Sequence, residues 1–242
     1  GFTELGTVTD FNSYTNTSQW WSGTDTYWKQ YGCFVLGSDI DFSAYTVKYR
    51  YIMGLGDVGT PNIDLSVGGL NGVFDGRGYT ISGGTYGWGG LFGSVAKGSV
   101  IKNVAIVNAT LSGDYAGVLG THMYGTLDNV LIECANTSGT SIWGGVAAVV
   151  EGTVQNSVIY WAVPENNTRN GAIAYRIEGT IANTIVITNG KTYGYTNMSD
   201  TSGISITTLG LSTVWSEQTL PEGFNAEYWD MTGTKPAFKE KA

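Results

Sequence analysis

Charge is scarce in this sequence: Asp, Glu, Lys and Arg make up 13% of 242 residues, against roughly 25% in ordinary soluble domains. The 12 basic residues are outnumbered by 20 acidic ones, giving a formal net charge of −8, and the basic residues gather only at Lys235, Lys239 and Lys241. Nucleic acids and anionic membrane surfaces both demand clustered Lys and Arg, so neither is expected as a partner. A single histidine, His122, excludes a His-based metal cluster and argues against a His-dependent catalytic triad. No run approaches the ~18 apolar residues of a spanning helix, so no membrane insertion is expected. No signal-peptide pattern opens the sequence, as expected of a mature or trimmed chain. The 2 cysteines, Cys33 and Cys134, lack any metal spacing, and two buried free thiols are expected ahead of a disulfide. The glycine pairs are not followed by Gly-Lys-Ser/Thr, which rules out a phosphate loop. No cofactor is expected.

What the sequence has instead is glycine, 36 residues of it with only 4 prolines. The glycines carry no three-residue period, so they mark turns rather than a fibre. Thr, Asn, Ser and Tyr occupy the places charges usually take, the make-up of a secreted or surface β protein.

The glycines are periodic on a longer scale. Gly90, Gly117, Gly144 and Gly171 lie 27 residues apart, and so do Gly98, Gly125, Gly152 and Gly179. A fixed period in the range of 20–50 residues is the mark of a repeat architecture. Within each copy, Phe92, Leu119, Val146 and Ile173 form one apolar column, and Ala96, Met123, Val150 and Ile177 form another. Polar or mixed residues alternate with the second column at a period of two: Val95, His122, Val149 and Arg176 before it, Lys97, Tyr124, Glu151 and Glu178 after it. That is strand spacing.

After the second glycine, Ser99, Thr126, Thr153 and Thr180 precede an inward set of Val100, Leu127, Val154 and Ile181. Next come Asn103, Asn129, Asn156 and Asn183, with one extra residue in the first copy (Ile101 or Lys102) that reads as a bulge. Stacked asparagines at a corner are expected to be buried and to hydrogen-bond amide to amide between coils. Beyond them the alternation turns Val104, Val130, Ser157 and Thr184 inward. Ala105, Leu131, Val158 and Ile185 are left as an apolar outward stripe. A soluble monomer rarely exposes such a stripe, so the N-terminal segment or another chain is expected to cover it.

Together these patterns predict an all-β, single-stranded, right-handed parallel β-helix (solenoid) with coils of about 27 residues and irregular caps; the hand follows from the crossover rule. A single domain, 1–242, is expected: 1–66 an N-terminal cap with its leading strands, 67–200 the regular coils, 201–242 the last coil and an aromatic C-terminal cap. At the front, Thr9 and Asp10 are placed to cap a helix over Phe11–Trp20, and Tyr31–Ile40 reads as a strand. At the back, Trp215, Phe224, Tyr228, Trp229 and Phe238 read as a plug for the end of the solenoid.

The residues just quoted resemble the GLUG-motif family of bacterial secreted and surface proteins. Gly90-Leu91-Phe92-Gly93 has the form of the motif itself, and Gly98-Ser99-Val100-Ile101-Lys102-Asn103-Val104 is similar to the stretch that follows it. Phe34–Ser43, Val73–Gly83 and the closing Trp229-Asp230 with Gly233, Pro236 and Phe238 also resemble that family's elements, in the same order. The resemblance covers about Tyr31 to Phe238. It implies a β-helical module of exported proteins, often adhesin-like, located outside the cell or on its surface. It implies no catalytic site, because the matched residues are structural corners. Such modules also occur in phage particle proteins, which leaves a structural or receptor-binding particle component (a fibre or decoration protein), expected as a trimer, as the first alternative, and a carbohydrate-active β-helix enzyme as the second.

The polar candidates for chemistry are few. Asp39 and Asp41, with Asp57 or Asp64, could ligate calcium, but as Asp residues at strand and turn edges they need no ion; no metal is expected. The Ser99, Thr126, Thr153 and Thr180 column lacks the second threonine array of an ice-binding face. The best constellation is a surface one: Tyr124, Glu151 and Glu178 in one column, with His122 and Arg176 in the column beside it. Two carboxylates ~5 Å apart are what a retaining glycosidase uses, yet Arg176 is placed to neutralise them. The expectation is therefore no enzyme. Trp88 and Tyr115, with Ile142, Arg169 and the adjoining Trp143, add an aromatic ladder suited to stacking on sugar rings. Trp88, Tyr115, His122, Tyr124, Glu151, Arg176 and Glu178 thus form the candidate ligand-binding face. Its expected partner is a surface glycan or a protein; the oligomeric state is left open.

Overall fold

A computed structural model of the chain describes residues 1–13, 29–44, 69–87, 89–112, 117–138, 144–163, 170–196, 203–213, 215 and 219–241. Its order is β1 (Phe2–Leu5), α1 (Val8–Ser13), β2 (Lys29–Leu36), β3 (Ile40–Asp41), β4 (Gly69–Asp75), β5 (Thr80–Ser82) and β6 (Thr85–Tyr86). The middle holds β7 (Ser94–Val95), β8 (Val100–Ser112), β9 (Gly120–Met123), β10 (Thr126–Ser138), β11 (Ala147–Val150), β12 (Thr153–Gln155) and β13 (Val158–Trp161). It closes with β14 (Ala174–Ile177), β15 (Thr180–Thr188), β16 (Tyr193–Thr196), β17 (Ile204–Leu209), β18 (Trp229–Asp230) and β19 (Ala237–Phe238).

Every strand pairing from β1 to β17 is parallel, and each strand pairs with the one a coil away. The result is a β-solenoid of about 5 turns with coils of about 27 residues. One face stacks β7, β9, β11, β14 and β16. A second stacks β1, β2, β4, the start of β8 and of β10, β12 and the start of β15. A third stacks β3, β5, the middle of β8 and of β10, β13, the remainder of β15, and β17. The leading strands β1 to β3 are already rungs of the same stack.

The corner between the second and third faces belongs to the asparagines. Asn103, Asn129, Asn156 and Asn183 hold φ of 56°, 53°, 49° and 47°, the left-handed region that Asn tolerates far better than most residues. Strands β8 and β10 therefore turn through the corner without ending. The glycine period has an equally direct cause. A Cβ added to Gly152 or Gly179 would overlap the carbonyl oxygen of Gly125 or Gly152 in the coil before. Backbones touch there, so only hydrogen fits.

Inside, the predicted columns meet: Phe34, Phe74, Ile101, Leu127, Val154 and Ile181 on one face, Ile106, Ile132, Ile159 and Val186 on another, all in one core. The first copy departs from the period. Ser94 pairs with His122 and Val95 with Met123, so Val95 rather than Ala96 heads the inward column. Two further residues enter the turn before β8, which pairs Val100 with Thr126 and Ile101 with Leu127. Ile101 is therefore fully buried, Val100 faces outward, and Ser99 is buried in the turn with its hydroxyl on Leu70 O at 3.0 Å. The first copy's irregularity lies in that turn, not at Ile101 or Lys102.

At the N-terminus α1 begins earlier than predicted. Thr7, not Thr9 or Asp10, is its cap: Thr7 Oγ1 accepts from Asp10 N at 3.2 Å while Asp10 Oδ2 accepts from Thr7 N at 2.7 Å, a reciprocal capping box. The rest of the predicted helix, Tyr14 to Trp20, lies outside the described residues. Cys33 and Cys134 are free thiols; Cys134 is buried in the core, whereas Cys33 is half-buried on the outward side of β2.

The closing aromatic segment corrects the end-plug expectation. Trp215, Phe224, Trp229 and Met231 form a second hydrophobic cluster with Ala105, Leu131, Val158 and Ile185. The apolar stripe is thus covered from the flank, by the C-terminal segment rather than by the N-terminal one or another chain. The segment runs back along the axis. Glu222 O accepts from Asn183 Nδ2, Asn225 and Trp229 reach Asn129, and Lys241 lies over the Tyr79 ring at 4.4 Å. It is a strap.

The asparagine ladder is correspondingly less self-contained than predicted. One link is amide to amide, Asn183 Nδ2 to Asn156 Oδ1 at 2.8 Å. Asn156 and Asn129 donate to Asp128 Oδ1 at 2.8 and 3.3 Å, and Asn103 donates to Asp75 Oδ1 at 3.0 Å. Only Asn129 is buried; the other three are half-buried. The reason is geometric: the strap lies against the corner and takes some of the amide groups for itself.

Candidate functional site

The face built from β9, β11 and β14 brings five of the predicted residues together. Val150 pairs with Met123 and with Ile177, and Glu151 N and Glu178 N donate to Met123 O and Val150 O at 2.9 and 2.8 Å. Tyr124, Glu151 and Glu178 therefore follow one another on successive rungs, about one strand spacing (~4.8 Å) apart. His122 and Arg176 share the neighbouring column but are not adjacent: Val149 pairs with both and stands between them.

Val149 is fully buried, so this stretch of the face is partly closed over rather than a bare sheet. His122 shows the same. Burial, reinforced by the Arg176 charge, pushes its pKa down to about 4, so the imidazole is neutral at neutral pH. Its ring lies parallel to that of Tyr124, centroids 5.8 Å apart and planes 9° from parallel.

The carboxylates differ in their surroundings. Arg176 Nε and Glu178 Oε1 form an ion pair at 3.3 Å, both side chains about a third exposed. Glu151 has its pKa raised, first by desolvation and then by the Glu178 charge, with Arg176 and a hydrogen bond from Tyr124 opposing the shift. The patch thus offers a stacked ring pair, a half-desolvated carboxylate and a neutralised ion pair. Such a surface suits ring stacking combined with a few polar contacts.

Trp88 and Tyr115 lie outside the described residues, as do Ile142, Trp143 and Arg169. Asp57 and Asp64, the supporting members of the calcium reading, lie outside them too. Asp39 Oδ1 accepts from Thr80 N at 2.7 Å and Asp41 Oδ1 from Ser43 N at 2.8 Å, so both carboxylates brace backbone turns. Among the described residues no group of His, Cys, Asp and Glu is placed to hold a metal ion, and no helix is long and apolar enough to cross a membrane.

Sequence reasoning missed the residues that hold the strap, Asn129 and Glu133, the latter paired with Lys235 at 2.9 Å. A signal existed: Glu133 is the one charge among Val107, Tyr160 and Ile187 in the column beside the apolar stripe. Comparison of the chain with protein-family models, with curated proteins and with solved structures finds no match.

Proposed function

We propose that this chain is a non-catalytic module displayed outside the cell or on its surface, adhesin-like, which presents a rigid solenoid face to a glycan or a protein. The observation that carries this reading is the Tyr124–Glu151–Glu178 column with His122 stacked on Tyr124 and Arg176 paired to Glu178. Behind that column lies a tightly packed core that fixes the spacing of its rungs. The low charge and the resemblance to GLUG-motif proteins support the same reading. A surface patch of this kind gives weak, stacking-dominated binding rather than the affinity of a deep pocket.

The experiment is a glycan array followed by titration of the best ligand against Tyr124→Ala and Glu178→Ala. Each variant is expected to weaken binding about tenfold, as the loss of one stacking or charged contact worth about 1.4 kcal/mol would do. Unchanged binding in both variants moves the site elsewhere. Cleavage of any polysaccharide, abolished by Glu151→Gln or Glu178→Gln with the fold intact, overturns the non-catalytic assignment.

A further inference from the structure

An asparagine followed by glycine is the pair whose side-chain amide lies most open to attack by the next backbone nitrogen, because glycine has no Cβ to block the approach. The sequence holds three such pairs: Asn71-Gly72, Asn170-Gly171 and Asn189-Gly190. Their local chemistry is the same. The solenoid treats them differently.

Asn71 and Gly72 lie within β4, in register with Tyr31 and Gly32 of β2. Gly72 N donates to Ser99 Oγ at 3.1 Å, and a Cβ on Gly72 would overlap Gly32 O. This backbone is clamped from both neighbouring coils. Asn170 is 1% exposed, so water and base do not reach it. Gly171 bridges Gly144, and a Cβ on it would lie 2.3 Å from Tyr193 Cα. Neither pair has room for its glycine nitrogen to swing onto the amide carbon.

Asn189 and Gly190 are both exposed, in the turn that follows β15. The rungs fix the chain on either side of them. Ile187 and Thr188 pair with Tyr160 and Trp161, and Lys191 O accepts from Ala172 N at 2.8 Å. Between those anchors, Gly190 N donates to Thr188 Oγ1 at 3.1 Å, a contact only two residues back along the same chain. No ladder bond holds the turn. Exposed turns of this kind open locally at little cost in free energy.

We propose that Asn189 is the site at which this chain deamidates spontaneously, and that the fold confines the reaction to that turn. Base removes the Gly190 N–H proton, the nitrogen bonds to Asn189 Cγ, and the side-chain nitrogen leaves as ammonia. Water then opens the cyclic imide, with no oxidant or reductant involved. Opening at Cγ gives an ordinary aspartyl residue. Opening at the main-chain carbonyl routes the backbone through the former side chain, as an isoaspartyl residue. Either product places a new negative charge beside Lys191. The isoaspartyl form also lengthens the backbone by one carbon where Gly190 packs against Val163, itself 4% exposed.

Peptide mapping by mass spectrometry tests this on the full chain, incubated at mildly alkaline pH both folded and in urea. In the folded protein, the peptide holding Asn189 is expected to gain one mass unit and split into two chromatographic forms. Its rate is expected to rise in proportion to hydroxide concentration, while the Asn71 and Asn170 peptides stay unchanged. In urea all three are expected to convert. Thr188→Val frees the Gly190 amide and is expected to speed the folded-state reaction, and Asn189→Gln is expected to abolish it. Folded protein that keeps Asn189 intact while the unfolded chain converts overturns the proposal. So does folded protein in which Asn71 or Asn170 converts as fast as Asn189. Should Thr188→Val unfold, the comparison of the three peptides in the parent decides.

Discussion

Trp229 Nε1 donates to Asn129 Oδ1 at 3.1 Å, across a separation of 100 residues. The same oxygen accepts from Asn225 N at 2.7 Å. One corner amide of the solenoid therefore holds the strap in two places, and the contact with Trp229 is buried. The corner asparagines serve two ends at once: they turn the coil through a left-handed conformation and present amide groups to the segment that covers the apolar stripe.

Removing that contact is expected to loosen the strap. Trp229→Phe keeps an aromatic ring but leaves one acceptor position on buried Asn129 short of a donor, at a cost of about 1–2 kcal/mol. Asn129→Ala removes both strap bonds and is expected to cost more. A double-mutant cycle read by urea unfolding is expected to show that the two losses are not additive. Additive losses would mean that the indole bond contributes nothing.

At Asn156 two effects are expected to separate. Asn156→Ala loses the bonds to Asp128 and Asn183 and forces alanine to φ 49°, for a total of about 2–3 kcal/mol. Asn156→Gly loses the same bonds without the backbone strain and is expected to be the milder variant. Equal midpoints in thermal melts would remove the backbone component.

Gly152→Ala is expected to be among the most damaging single substitutions. Its methyl group would meet the Gly125 carbonyl and the Tyr124 backbone, which cannot rotate away. Overpacking of this kind costs about 3 kcal/mol or more. Gly98→Ala is the comparison: no atom lies within 4 Å of its added Cβ, and only its φ of 83° opposes the change. Equal stability of the two variants would show that rung spacing adjusts.

His122 gives the face a signature in acid. Its folded pKa of about 4 lies below the ordinary 6.5. Between those values the unfolded chain binds the proton, so stability falls as pH drops through this window. The loss is complete below about 4 and is on the order of 3 kcal/mol. Glu151 works in the opposite sense. Its raised pKa gives a contribution present below 4.5 and lost as pH rises above it, so it offsets part of the acid loss. The His122 ring resonance is expected to titrate near 4, and His122→Gln is expected to flatten the fall in melting temperature towards acid. A midpoint near 6.5 would show an imidazole in contact with water.

The thiols are expected to react unequally. Burial raises the pKa of Cys134 far above its usual value, and thiolate is the reactive form. One thiol, Cys33, is expected to label in the native protein and two after unfolding. Two rapid reactions in the native state would place Cys134 at an accessible surface.

The coil was legible in the sequence because its causes are local or strictly periodic. Glycine recurs where backbones touch, as at Gly152 and Gly179. Asparagine recurs where the chain turns left-handed, and alternation of period two separates core from surface. The same pattern placed Tyr124, Glu151 and Glu178 in one column, and Val149 between His122 and Arg176. The tertiary structure decided what the period cannot carry. The first copy's offset arises in the turns on either side of Ser94-Val95, which shift the strands so that Gly125 lies against Ser99 O rather than over Gly98. The strap is decided at still longer range. The sequence required a cover over Ala105, Leu131, Val158 and Ile185, but any apolar segment of sufficient length would satisfy that requirement. Only the packed chain brings Trp229 to Asn129 and Lys235 to Glu133, because side-chain contacts between residues 100 or more positions apart leave no spacing to read.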